Sequence, residues 1–111
     1  MNTTTTHLTI STREGLHFIN PEDIIRLQAD SNYTFFHFTN RKPLLVSKVL
    51  KEFIPILEPQ GFLRTHRAHL VNRRYITCVD NCGYVLMHDA SKAEIARSKR
   101  RIVKMELMKA S

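Results

Sequence analysis

The chain of 111 residues has no tryptophan, three glycines, two cysteines and no purely apolar run longer than four residues. Each shortage excludes something. A membrane-spanning helix needs about 20 apolar residues in succession, so none is encoded. Met1-Asn2-Thr3-Thr4-Thr5-Thr6 lacks the charged start and apolar centre of a secretory signal. Glycines this sparse build neither a phosphate-cradling loop nor a Gly-x-Ser-x-Gly nucleophile elbow. The cysteines, Cys78 and Cys82, are spaced C-x3-C, and without a secretory signal they read as reduced thiols in the cytoplasm. A zinc site would recruit His66 and His69 beside them. Along one extended strand the two cysteines would lie ~13 Å apart, too far to share an ion. No metal and no cofactor are expected.

What the chain has in excess is positive charge. Seventeen Lys and Arg against ten Asp and Glu give +7, in a composition otherwise ordinary for a globular chain. The length suits a disordered tail over residues 1–6 and one domain over 7–111. Residues 1–40 carry only Arg13 and Arg26 against Glu14, Glu22, Asp23 and Asp30. Arg64 to Arg74 holds four arginines, two histidines and no acid, and Arg97 to Lys104 holds five Lys or Arg and no acid. Two acid-free clusters on one small domain form a footprint for a polyanion, with nucleic acid ahead of a membrane surface.

Local patterns predict a mostly β chain. His7 to Ser11 alternates with period two, and Arg13-Glu14-Gly15 turns it back into Gly15 to Ile19. Asn20-Pro21-Glu22-Asp23 carries a cap, a proline and acids in the order of a helical start. Ile24 to Ala29, Tyr33 to Phe38 and Pro43 to Val46 read as strands. Val49, Leu50, Phe53, Ile54 and Leu57 fall at helix spacing behind Ser47, with Pro55 near the end or at a kink. Strands follow at Tyr75 to Val79 and Tyr84 to His88, with a short one at Glu94 to Ala96. Ser98 to Lys109 reads as a terminal helix whose Met105 and Met108 belong to a core-facing stripe.

The segment Phe62-Leu63-Arg64-Thr65-His66-Arg67-Ala68-His69-Leu70-Val71-Asn72 fits neither period throughout and reads as a basic loop. Arginine there is suited to a phosphate or to the two acceptors of guanine, and Asn72 either fixes its own loop or reads adenine. Phe62-x-Arg64-x-His66-Arg67-x-x-Leu70-Val71-Asn72, followed by Ile76, resembles the signature of the LytTR DNA-binding domain. Ile24-x-x-Leu27-Gln28-Ala29-Asp30-Ser31-Asn32-Tyr33 upstream and Ile95-Ala96-Arg97-Ser98-Lys99-Arg100 downstream extend the resemblance, in order and spacing, over roughly residues 8–108.

The resemblance implies a LytTR-like elongated arrangement of β-sheets with one internal helix and a short C-terminal helix. It implies the output domain of a response regulator in a two-component system, binding duplex DNA through loops in successive major grooves. Two copies would sit on direct repeats, and a receiver or sensor domain would lie N-terminal to this chain. By position, Asn32, Tyr33, Arg67, Lys99 and Arg100 would contact bases, and Arg64, His66, His69, Arg97 and Arg101 would contact phosphate. Three positions depart from the family pattern: Ala68 stands where Ser is common, Lys99 where Arg is usual, and Asp89-Ala90-Ser91 lacks a customary glycine. Alternatives from other classes are a basic protein-interaction module, a single-strand or RNA binder using Phe35, Phe36 and Phe38 as platforms, and a hydrolase assembled from Ser98, His66 and Asp89. No enzyme motif supports the last, and an acid-free cluster does not suit a metal-dependent nuclease.

Overall fold

The computed structural model describes residues 7–109, and the tail expected over residues 1–6 lies outside them. Strands β1 (Leu8–Thr12) and β2 (Gly15–Ile19) form an antiparallel hairpin. β3 (Ile24–Asp30), β4 (Tyr33–Phe38), β5 (Leu44–Val46), β6 (Phe62–His66) and β7 (His69–Asn72) form a five-stranded sheet in the order β5-β4-β3-β7-β6. β8 (Ile76–Val79), β9 (Tyr84–Met87) and β10 (Lys92–Glu94) make a three-stranded sheet. The fold is mostly β, with a four-residue helix α1 (Ile54–Leu57) and a terminal helix α2 (Arg100–Lys109).

The central sheet is covered on both faces. Leu27, Phe36, Leu44, Val46 and Leu70 pack on one side with the first hairpin and with Leu50, Phe53 and Leu57. Ile25 and Val71 face the other side, against Val85, Met87, Ala93, Ile95 and Val103. A bulge in β3 between Ile24 and Arg26 lets Ile24 and Leu27 point the same way although three residues apart.

The internal helix departs from expectation. Its apolar spacing is intact, but the chain splits into a 3-10 turn over Leu50–Glu52, α1, and a second 3-10 turn over Glu58–Gln60. Pro55 and Pro59 lack the N–H that would join these pieces, and Pro55 opens α1 rather than ending it. The basic loop is also corrected: it is the hairpin β6–β7, with Arg67-Ala68 at its tip. The ladder shifts between Arg64 and His66, and that extra residue, Thr65, is what spoils a period of two. The last strand ends at Glu94, earlier than the pattern suggests. In α2 the core-facing residues are Val103, buried, and Leu107, partly buried, one turn apart. Met105 (53% exposed) and Met108 (73% exposed), both expected in the core, lie outward with Ile102.

One device appears twice. Asn20 (φ −83°, ψ 119°), just after β2, and Asn72 (φ −82°, ψ 118°), the last residue of β7, each cap a 3-10 turn, over Pro21–Asp23 and Arg73–Tyr75. Each side-chain oxygen accepts from the N–H two residues on, at Glu22 and at Arg74. The copies interlock: Asn72 Nδ2 donates to the Ile24 carbonyl at 2.9 Å, and the Tyr75 hydroxyl donates to the Glu22 carbonyl.

Candidate nucleic-acid interface

Three segments carry the residues singled out from the sequence. The first is the tip between β3 and β4. Asp30 pairs with Tyr33, so Ser31 and Asn32 alone make the turn, with Ser31 at φ 55°. Ser31, Asn32 and Tyr33 are all exposed. Tyr33 edges an open groove of about 740 Å³ that Arg13 and Glu14 also line, so the fold brings Arg13 to a place its position in the sequence did not suggest.

The second segment is the β6–β7 tip. Arg67 is exposed, and among the described residues its guanidinium has no hydrogen-bond or ion-pair partner. Arg64 is engaged: Nη2 donates to the Arg67 carbonyl at 2.8 Å and Nε to the His66 carbonyl at 3.4 Å. His66 Nδ1 accepts from the Ala68 N–H at 3.0 Å, which fixes the tautomer with the proton on Nε2, 3.9 Å from a Glu94 carboxylate oxygen. Glu94 is an acid that the linear clusters do not contain.

His69 lies beside His66, ring centroids 5.5 Å apart, with its buried Nδ1 lacking a partner among the described residues. Burial, reinforced by the nearby Arg26 and His66, lowers its pKa to about 4. It is neutral at physiological pH and brings no positive charge to the surface. Arg26 is itself only 8% exposed, donating to Gln28 Oε1 and to Ser91 Oγ. One of the seventeen basic residues is therefore spent inside, joining the central sheet to the β9–β10 turn. Asp89 accepts from the backbone and hydroxyl of Ser91.

The third segment runs from Ala96 into α2. A 3-10 turn over Arg97–Lys99 leads into the helix, with no side-chain cap and no acid in its first turn. Four cations thus gather at the positive end of a helix dipole, an arrangement that an anion would relieve. Arg97, Arg100 and Arg101 are exposed and Lys99 is half-buried. The Arg100 guanidinium rests against Gly83, whose φ is +96°: a Cβ there would lie 2.3 Å from Arg100 Nη2.

The three segments are joined through the middle one. The Ala29 N–H donates to the Ala68 carbonyl at 2.8 Å, and the Ala96 N–H donates to the Thr65 carbonyl at 2.7 Å. Thr65, fully buried, returns a bond from its hydroxyl to the Glu94 carbonyl at 2.8 Å. The β6–β7 hairpin therefore holds the strand leading to Asn32 on one side and the approach to Lys99 on the other. Asn72, a candidate base reader, is 5% exposed and has both side-chain ends occupied, which leaves only its loop-fixing role. Phe36 and Phe38 are buried and do not form a stacking platform, while Phe35 is half-buried.

Among the described residues no helix is long and apolar enough to cross a membrane, and no group of three or more His, Cys, Asp or Glu is placed to hold a metal ion. A family model of the LytTr DNA-binding domain matches residues 14–108. The sensory transduction protein LytR of Staphylococcus saprophyticus is 30% identical over 95 residues, or 82% of this chain and 37% of that protein. The chain thus spans little more than a third of that curated relative. A LytTr DNA-binding domain from Bacillus cereus, 20% identical, shares the fold with a TM-score of 0.77 over 92% of this chain and 96% of its own. The family match covers nearly the whole described structure, and the chain belongs to the LytTr DNA-binding domain family.

Proposed function

We propose that this chain is the sequence-selective duplex-DNA-binding output domain of a cytoplasmic transcriptional regulator. The observation that carries the reading is the Arg67 guanidinium, without a partner among the described residues, at the tip of a hairpin hydrogen-bonded to the two other basic or exposed segments. Asn32 and Tyr33, Arg67, and Lys99 with Arg100 contact bases in successive major grooves. Arg97 and Arg101 contact phosphate beside the α2 N-terminus, while His66 shapes the hairpin by accepting the Ala68 N–H and His69 packs beside its ring. Two copies on direct repeats, and a receiver or sensor domain on the same polypeptide, complete the regulator. Binding, not catalysis, is its role.

A fluorescence-anisotropy titration tests this, using duplexes selected from a random pool at 50 to 200 mM salt. With about five phosphates engaged, log K falls against log salt with a slope near −4 to −5. Arg67→Ala costs about 1–3 kcal/mol on the selected duplex and little on random DNA, whereas Arg101→Ala weakens both and makes the slope shallower by about 1. A flat salt response refutes the proposal.

A further inference from the structure

We propose that Arg64 is a positioning residue: its guanidinium sets the shape of the β6–β7 tip and through it the base selectivity of Arg67, rather than binding phosphate itself. The inference rests on the DNA-binding reading above for its functional half and on the geometry of this hairpin for its structural half.

The bulge at Thr65 leaves the tip with more backbone than a regular hairpin needs. The carbonyls of His66 and Arg67 would otherwise stand at a surface meant for a polyanion, and carbonyl oxygens repel phosphate. Arg64, two and three residues before them, satisfies both with one planar fork, 3.4 Å to His66 and 2.8 Å to Arg67. The His66 ring closes the other side of the same turn through its bond from the Ala68 N–H, and the Ala68 carbonyl is held in turn by Ala29. The Ala68 N–H and the carbonyls of His66, Arg67 and Ala68 thus each have a named partner, while among the described residues the Arg67 side chain has none. A rigid tip with one free arginine is the arrangement that bidentate readout of a base requires. A lysine at position 64 would supply a point charge on a flexible stem and would not span both carbonyls.

The test compares Arg64→Lys and Arg64→Ala with Arg101→Ala in the same protein. In the free protein, amide hydrogen exchange at Ala68 reports the tip without DNA: both Arg64 variants speed it at least tenfold, with Lys less affected than Ala, while Arg101→Ala leaves it unchanged. On DNA, the ratio of affinities for selected and scrambled duplexes falls about tenfold in Arg64→Ala and the salt slope stays as in the parent. The proposal is overturned if the Ala68 amide exchanges at the parental rate in both variants. It is equally overturned if the salt slope becomes shallower by about 1 with the selectivity ratio intact, which is the behaviour of a phosphate ligand. Should the parent not bind duplex DNA at all, the DNA-binding reading fails, and the exchange rates still decide whether Arg64 sets the tip. Should Arg64→Ala not fold, Arg64→Lys carries both readouts.

Discussion

The duplicated asparagine turn permits a controlled comparison, because two side chains in the same backbone geometry differ in what surrounds them. Asn20 makes one capping bond, at an exposed turn, and its loss on substitution by Ala costs about 1 kcal/mol. Asn72 makes the same bond and, in addition, donates to the Ile24 carbonyl from a side chain only 5% exposed. Removing that donor leaves a buried acceptor unpaired, which adds about 1–3 kcal/mol and brings Asn72→Ala to about 2–4 kcal/mol. With a urea dependence near 1.5 kcal/mol/M, the midpoint drops by about 2 M for Asn72→Ala and by under about 1 M for Asn20→Ala. Aspartate sharpens the comparison. It caps as well as asparagine, so Asn20→Asp is nearly neutral, whereas Asn72→Asp places an acceptor against the Ile24 carbonyl and costs at least as much as alanine. Equilibrium urea unfolding followed by circular dichroism, with m compared among all five proteins, measures this. If Asn72→Asp proves as benign as Asn20→Asp, the assignment of the buried bond is wrong.

Acid destabilises the fold through His69. Its folded pKa, about 4, lies below the ordinary 6.5, so as pH falls the unfolded chain takes up the proton first. Stability is undiminished above pH 6.5 and declines from there toward pH 4, by about 1–2 kcal/mol once solvent screening of this half-exposed ring is allowed for. His37, lowered by burial and then by Arg26, acts in the same direction. Urea midpoints between pH 7 and 4.5 should flatten in His69→Gln, and a slope equal to the parent's would sink the assignment. Ala90 sits at φ 72° in the β9–β10 turn, a left-handed conformation that favours glycine. Ala90→Gly removes that strain and raises stability by about 0.5–1 kcal/mol, seen as a thermal midpoint a few degrees higher. A lower midpoint would show that the strain is absent.

The sequence made the strands legible wherever a strand keeps a simple period. β1, β2, β4 and β5 fall where alternation and turn residues put them, because each shows one face to the core and the other to water. Asn20 and Pro21 announce their turn because capping is a local matter. Legibility stops where the ladder slips or where a partner is distant in the chain. Thr65 adds one residue to β6, and that single insertion made a hairpin look like a loop. Pro55 and Pro59 break a helix whose apolar spacing is otherwise correct. Of the site, the exposed arginines were legible as charge. That Arg26 is buried, that Arg64 is occupied by its own loop and that Glu94 stands beside His66 depend on contacts between segments, and no composition or period encodes them.

The backbone bonds from Ala29 to Ala68 and from Ala96 to Thr65 also bear on mechanics. Flexible arms would let each contact find its base separately, and a duplex of altered pitch could still be fitted. Here main-chain bonds tie the tips together, so on the proposed reading, in which all three contact DNA, the protein would act as a calliper of fixed opening. Any mismatch between that opening and relaxed B-form DNA would then be borne by the duplex, whose stiffness would enter the affinity at steps no side chain touches. A target lengthened by one base pair between two contact regions would be rejected even with every contacted base preserved.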